Sequence, residues 1–264
     1  SIVQYSPECF ELDSKYIYLP RSNSSCIQSN IEFDNSISFG RFGDRMYEQV
    51  PQAMTQKIKK NIVILGDSHA MGWGVSDADI FTSHLHREGV HSVNLSVSSY
   101  GTYRQIERLA DFKLKYPDKF DDFDAVVIQY CDNDIGENLA ALSGQKVVNP
   151  SAEKIDAFVS AMSKTNKAHL ANKRSNLLFA FTSPIVAGKT IEAFKEFFLG
   201  SIRFKLKSLA HRPTAQFQQE QEHDLDTPNH ADAFFQILKM NEDLIKNKQV
   251  IVFISNAWGS QNQE

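Results

Sequence analysis

The chain has 264 residues, of which 42% are hydrophobic and 23% charged, a composition typical of one α/β domain with an extension. Its formal net charge of -4 excludes an overall basic field, so no nucleic-acid partner is expected. No apolar run approaches the roughly 20 residues that span a bilayer. Three cysteines exclude a disulfide framework; Cys9 and Cys26 either pair with each other or stay reduced.

The first 60 residues show no sustained helical period and carry aromatic residues scattered among Ser, Asn and Pro. This pattern predicts short strands and turns, which we interpret as a β-rich extension packed on the main domain. Within it, residues 36–45 hold two glycines and two arginines, which form either an anion-binding loop or solvated turn charges. Because the chain opens on Ser1 without a visible signal peptide, we expect a processed product whose leader or membrane anchor has been removed.

From residue 61 onwards, short apolar runs alternate with amphipathic segments. Buried strands are predicted at 62–65, 91–97, 124–130, 176–181 and 249–254. Helices are predicted at 81–86, 104–116, 151–171, 190–209 and 231–246, with a polar loop at 211–229. This alternation predicts a doubly wound, flavodoxin-like parallel sheet of five strands with helices on both faces. The main domain is therefore assigned to 61–264, after an extension at 1–60.

Three of these strands end in residues suited to acyl transfer. Ser68 follows the first strand, Gly101 the second and Asn133 the third. Because the carboxyl ends of parallel strands share one edge of a sheet, we expect the three residues to lie close together. A serine hydroxyl can attack a carbonyl, while a glycine N–H and an Asn amide stabilise the oxyanion. In the structural alternative, Ser68 caps the next helix and Asn133 is a turn residue.

The order of these blocks resembles that of the SGNH (GDSL-type) hydrolases over roughly residues 35–256. The residues that carry the resemblance are Gly66-Asp67-Ser68, Gly72, Gly74, Gly101 and Asn133-Asp134. One departure is Cys131, which stands where the third block of the family has glycine. The resemblance implies a serine esterase with Ser68 as nucleophile. It also implies an oxyanion hole formed by the N–H groups of Ser68 and Gly101 and the amide of Asn133.

The general base of that family is missing from this sequence. In the family a His lies three residues after an Asp, behind the fifth strand, and no Asp-x-x-His occurs here. We expect either that the chain is truncated before this segment or that it naturally lacks the base. His230, near a predicted helix start at the active-site edge, is the best local substitute. His69 adjoins Ser68 but is expected to point away, and His91 and His223 follow a Glu at the family spacing.

No cofactor or metal is expected from the motifs. The eight histidines form no H-x-x-x-H pair, the cysteines form no C-x-x-C, and the loop 66–74 is neither a G-x-G-x-x-G nor a P-loop. The predicted helix 190–209 carries basic residues beside its apolar ones. It is either a lid or membrane-surface helix or, in the simpler interpretation, a core helix with a basic outer face.

Two functional hypotheses follow. The first is a serine esterase or acyl transferase that acts on an O-acyl group, such as acetyl, of a carbohydrate, as the resemblance implies. Its partner would be an acylated small molecule or glycan, and its location extracytoplasmic, with the cytoplasm as the alternative. The second is a catalytically inactive binding domain of the same fold that recognises a glycan or a partner protein. The acyl group and the oligomeric state are not indicated by the sequence.

Overall fold

The computed structural model describes residues 6, 8–29, 33–48, 59–161, 163–164 and 230–255. All of them belong to one compact unit, composed of Ser1–Asn166 and Pro228–Glu264. The predicted strand 176–181, the predicted helix 190–209, the polar loop 211–229 and the end of the predicted helix 151–171 lie outside the described residues.

The extension consists of two antiparallel hairpins, as the scattered aromatic residues predict. Strand β1 (Phe10–Asp13) pairs with β2 (Ile17–Pro20), and β3 (Ser24–Ser29) pairs with β4 (Asp34–Phe39). A disulfide between Cys9 and Cys26 joins the two hairpins, which settles the open question about these thiols. Cys131 is free and buried.

The centre of the unit is a four-stranded sheet in which every neighbouring pair is parallel. Its strands are β5 (Lys60–Leu65), β6 (Val90–Asn94), β7 (Ala125–Cys131) and β8 (Gln249–Ser255), in the order β6-β5-β7-β8. β7 is buried along its whole length, as expected for a central parallel strand covered on both faces. The predicted α/β class is confirmed, and four of the five predicted strands are present.

Helices cover both faces of this sheet. On one face, α1 (Ser68–Met71) and α2 (Phe81–Arg87) pack against Ile62, Ile64 and Val127. On the other face, α3 (Thr102–Lys115) and α4 (Pro117–Asp121) contact the larger core, which contains Val63, Val126 and Ile128. The remaining helices are α5 (Ile135–Leu142), residues 152–161, α6 (His230–Met240) and α7 (Glu242–Ile245). The predicted helix 231–246 is thus interrupted at Asn241, which is the N-cap of α7.

Buried arginines join the extension to the sheet domain. The Arg45 side chain is 0% exposed, forms an ion pair with Asp77 and donates to the carbonyl oxygens of Met46 and Val75 at 2.7 and 2.9 Å. In return, Arg108 on α3 donates to the carbonyl oxygen of Gly43 at 2.8 Å. The interpretation of residues 36–45 as solvated turn charges is therefore wrong for Arg45, because its side chain is buried and paired with Asp77.

Candidate functional site

Ser68 lies where β5 ends and α1 begins, and it is the first residue of that helix. The helix is capped by Asp67, whose Oδ1 accepts the N–H of His69 at 2.8 Å, so the alternative that Ser68 is the cap is wrong. Within the described ranges, neither the hydroxyl nor the N–H of Ser68 has a hydrogen-bond partner. The side chain is half-buried. Ser68 is thus held at the carboxyl end of a central strand, and its hydroxyl and N–H have no partner among the residues that the structure describes.

The turn before Ser68 needs a residue without a side chain. A Cβ added at Gly66 would lie 2.5 Å from the Cβ of Ala70 and 2.6 Å from Oε1 of Gln129. That same Gln129 oxygen accepts the N–H of Asp67 at 2.9 Å. β7 therefore fixes the turn that presents Ser68, because Gln129 lies on the neighbouring strand.

Gly101 precedes α3 and acts as its N-cap, with φ -75° and ψ 168°. Glycine is required here by space rather than by backbone conformation, because an added Cβ would lie 2.8 Å from the Cβ of Glu137. Glu137 forms an ion pair with Arg104 and also accepts the Arg104 N–H at 3.3 Å. No acceptor for the Gly101 N–H is found in the described part of the chain.

Asn133 lies in a 3₁₀ turn, Asp132–Asp134, directly after β7. Its side chain is exposed, and its amide has no hydrogen-bond partner among residues that the structure describes. Its main-chain N–H donates instead to the Cys131 thiol, which holds the turn against the strand end. The Asn133 amide is therefore available to a ligand at this edge of the sheet.

Residues next to the three candidates are linked to one another. Asp134, adjacent to Asn133, accepts the hydroxyl hydrogen of Thr102, adjacent to Gly101, at 3.2 Å. The negative charge of Asp67, adjacent to Ser68, acts on the same Asp134 carboxyl. The parallel pairing of β5 with β6 and β7 brings their carboxyl ends to one edge. The structure thus brings Ser68, Gly101 and Asn133 to the same edge of the sheet, as the sequence predicts.

The electrostatics of this edge are dominated by buried acidic groups. Burial, together with the charge of Asp67, raises the pKa of Asp134 to about 8. Burial likewise raises the pKa of the Cys131 thiol to about 11. Among the described residues, no Lys or Arg forms an ion pair with Asp67 or Asp134. The edge therefore favours a ligand that brings positive charge or accepts a hydrogen bond.

His230 is the first residue of α6, and its ring is held by Tyr130. The Tyr130 hydroxyl and the His230 Nδ1 are 2.8 Å apart, and Tyr130 packs against Phe234 in the larger core. No hydrogen bond joins His230 to Ser68 within the residues described. Of the other histidines, His91 contacts the Tyr47 hydroxyl at 2.9 Å, and His223 lies outside the described residues.

One grouping was missed by the sequence analysis. A carboxylate oxygen of Asp67, a ring nitrogen of His69 and the sulfur of Cys131 all lie within 4.8 Å of one another. The His69 ring therefore lies near Cys131, whereas no hydrogen bond joins it to Ser68 within the described residues. The signals were present in the sequence, as a histidine directly after Asp-Ser and a cysteine at the end of the third strand.

An apolar cavity of about 680 Å³ begins beside α1. It is lined by His69 and Ala70 at one end and by sheet and α2 side chains that include Ile64, Phe81 and Val127. Two of its lining residues, His69 and Ala70, follow Ser68 directly in the sequence.

In the described ranges, none of the helices is both long and apolar enough to cross a membrane. No protein-family model matches the sequence, and no curated protein matches it either.

Proposed function

We propose that this protein is a serine esterase or acyl transferase of the SGNH type, acting on an O-acyl group such as the acetyl group of a carbohydrate. The observation that carries the proposal is that Ser68, Gly101 and Asn133 lie at one sheet edge. In the described part of the chain, the Ser68 hydroxyl, the Gly101 N–H and the Asn133 side-chain amide have no hydrogen-bond partner. A nucleophile and oxyanion donors that make no other hydrogen bonds are suited to a transition state.

In the proposed reaction, the Ser68 Oγ attacks the carbonyl carbon of the ester. The carbonyl oxygen becomes negative and accepts hydrogen bonds from the Ser68 N–H, the Gly101 N–H and the Asn133 amide. The alcohol leaves with a proton, and the acyl-enzyme is then cleaved by water or by a second alcohol. A histidine would accept the proton of Ser68. The candidates are His69, His230 and the His of an Asp-x-x-His segment outside this sequence.

The proposal also includes a fifth strand in the sheet and an extracytoplasmic location. The predicted strand 176–181 would complete a five-stranded, flavodoxin-like sheet. An extracytoplasmic location is supported by the disulfide between Cys9 and Cys26, because such bonds persist mainly in oxidising compartments.

The test is hydrolysis of a small aryl acetate, together with labelling by a fluorophosphonate probe. Ser68→Ala should reduce hydrolysis to the background rate and abolish labelling, because it removes the proposed nucleophile. Ser143→Ala is the matched control, because that hydroxyl lies on an exposed turn and donates to the Ala140 carbonyl oxygen. Full activity in Ser68→Ala would overturn the assignment.

The alternative is a binding domain that keeps the fold without the chemistry, motivated by the missing Asp-x-x-His. Both hypotheses are compared in this chain and in a form that carries its natural flanking residues. Glycan binding without hydrolysis or probe labelling in either form would favour the binding domain. Hydrolysis confined to the longer form would place the base in the flanking segment, and hydrolysis by both forms would place it within this chain.

A further inference from the structure

The site edge carries three different potential metal ligands. Asp67 and His69 come from the turn between β5 and α1, and Cys131 comes from the end of the neighbouring strand β7. One carboxylate oxygen, one imidazole nitrogen and one sulfur lie within 4.8 Å of one another. Neighbouring parallel strands supply this arrangement, so it does not depend on a short sequence motif such as C-x-x-C.

The carboxylate of Asp67 is incompletely satisfied. The residue is 1% exposed, and its Oδ1 accepts the His69 N–H at 2.8 Å. Its Oδ2 is buried and has no hydrogen-bond partner in the described structure. A buried polar atom without a partner destabilises the folded state, and more so when the group is charged. A cation at Oδ2 would remove this destabilisation.

The buried carboxylate of Asp67 also lacks a basic partner in the part of the chain that the structure describes. Within the described ranges, it forms no ion pair with Lys or Arg. Buried charges in folded proteins are normally paired or coordinate a metal.

The ligand types select the class of ion. Mg²⁺ and Ca²⁺ prefer oxygen ligands, whereas a set of carboxylate, imidazole and thiolate suits Zn²⁺ and similar transition-metal ions. Zn²⁺ bonds of about 2.0–2.3 Å bring ligand atoms roughly 3.5 Å apart, so small side-chain rotations from the present spacing suffice. His69 is exposed and therefore gives the ion a path from solvent.

A nucleophilic role for the same cysteine fits less well. Cys131 is 0% exposed, so a substrate carbonyl could not reach its sulfur without displacing the surrounding side chains. A metal ion needs only the side of the sulfur that faces Asp67 and His69. The burial of Cys131 therefore favours coordination over covalent catalysis.

We propose that Asp67, His69 and Cys131 form a three-ligand site for Zn²⁺ or a chemically similar transition-metal ion. Its fourth position is open towards solvent, as in zinc sites that bind a water or a substrate. Because Asp67 and His69 flank Ser68, the ion lies beside the candidate nucleophile. The proposal does not depend on ester hydrolysis, because ion binding can be measured by itself.

The test is a titration of the chelator-treated chain with Zn²⁺ by calorimetry, with metal content measured after dialysis. We expect one tightly bound Zn²⁺ per chain. Replacing Zn²⁺ with Co²⁺ should give a thiolate-to-cobalt charge-transfer band, which reports the Cys131 ligand directly. Mg²⁺ in large excess should not displace the ion, because it is a poor match for sulfur and nitrogen.

Two variants identify the ligands. His69→Asn and Cys131→Ser should each weaken Zn²⁺ binding by at least about 100-fold, more than the 10- to 100-fold typical of outer-shell changes. His84→Asn is the matched control, because His84 is an exposed histidine on α2 whose ring contacts Arg87. Since His69 is also exposed, His69→Asn should fold normally and decides the question if Cys131→Ser does not fold.

The proposal is overturned if the chain binds no Zn²⁺ more tightly than His69→Asn does. It is also overturned if the cobalt complex lacks the thiolate band, because Cys131 would then not be a ligand. A loss of affinity in His84→Asn equal to that in His69→Asn would indicate adventitious binding to surface histidines and would overturn it equally.

Discussion

Two regions of this molecule differ in the partners that their buried charged groups have within the described residues. Where the extension meets the sheet domain, the buried Arg45 has Asp77 and two carbonyl oxygens as partners. At the candidate site, the Oδ2 of Asp67 and the N–H of Gly101 lack partners within the described residues. In the first region the buried guanidinium of Arg45 is paired with a carboxylate, although its Nε has no partner in the described structure. In the second region the buried carboxylate of Asp67 has no ion-pair partner among the described residues.

This difference separates two roles that a polar group can have. An internally paired group holds two parts of the chain in one arrangement, so its removal should lower stability without a specific effect on chemistry. A group without an internal partner contributes little to folding, so its removal should affect ligand binding or catalysis. The predictions below test whether the two regions divide in this way.

The largest effect on folding is expected from Arg45→Met. The substitution removes the ion-pair partner of Asp77, whose Oδ1 keeps the Ser38 N–H at 3.1 Å, and one donor to each of two carbonyl oxygens. Breaking a buried pair in this way costs about 3–5 kcal/mol of unfolding free energy. Urea denaturation of wild type and variant measures this difference. At temperatures where both are folded, esterase activity per folded molecule should be unchanged.

Arg87→Met provides the matched control. Arg87 also forms an ion pair between the sheet domain and the extension, with Glu48 at 3.3 Å, but these side chains are 37% and 48% exposed. Exposed pairs contribute about 0–1 kcal/mol. Equal destabilisation by the two substitutions would contradict the view that burial distinguishes Arg45.

The next largest effect is expected on the rate of ester hydrolysis rather than on the unfolding free energy. Under the proposed mechanism, Asn133→Ala should reduce ester hydrolysis by about 100- to 1000-fold, because it removes one proposed oxyanion donor. Its unfolding free energy should change by less than about 0.5 kcal/mol, because the side chain is exposed and has no partner among the described residues. Kinetics with a small aryl ester and urea denaturation measure the two quantities in parallel.

Asn133→Asp sharpens this test. The substitution keeps the shape of the side chain but replaces the donor with a negatively charged acceptor, so the loss of activity should equal or exceed that of Asn133→Ala. An Asn133→Asp variant with wild-type activity would show that Asn133 does not face the oxyanion.

Much of the fold was accessible from the sequence because local patterns determine it. The run that forms β7 is apolar and buried throughout, and Gly66 and Gly101 mark strand ends where side chains would collide. Boundaries were less accurate. β6 was predicted to reach residue 97 but ends at Asn94, although the N–H groups of Leu95 and Val97 still pair with β5 and the turn after it.

Hydrogen bonds and ion pairs between residues far apart in the sequence could not be predicted from it. The hydrogen bond between Thr102 and Asp134 joins residues 32 positions apart, and the Arg45–Asp77 pair also spans 32 positions. Ser68, Gly101 and Asn133 were predictable because strand ends alone specify the edge. The grouping of His69 with Cys131 depends on side-chain direction at a helix start, which strand order does not determine.

A smaller effect on stability is expected from the disulfide in the extension. Replacing both Cys9 and Cys26 with Ala should lower the unfolding free energy by about 3 kcal/mol, because the bond closes a loop of moderate length and so restricts the unfolded chain. Thermal unfolding of the variant, and of wild type with and without reductant, measures the effect. A reduced wild type as stable as the oxidised form would show that the hairpins are held by packing alone.

The smallest effect is expected from Tyr16→Phe, at the contact between the β1–β2 turn and α3. The Tyr16 hydroxyl donates to the Asp111 carboxylate at 2.6 Å, so its loss should cost about 1 kcal/mol at neutral pH. Burial and the Asp111 hydrogen bond raise the pKa of Tyr16 above its ordinary value of 10. The folded protein therefore keeps this proton while the unfolded chain loses it, so wild-type stability should fall as the pH rises above about 10.

Tyr16→Phe should reduce this loss of stability at alkaline pH. Tyr116→Phe should leave the loss unchanged, because no partner of the Tyr116 hydroxyl is found in the described structure. Identical alkaline profiles for wild type and Tyr16→Phe would show that the buried hydroxyl does not link the extension to α3 energetically.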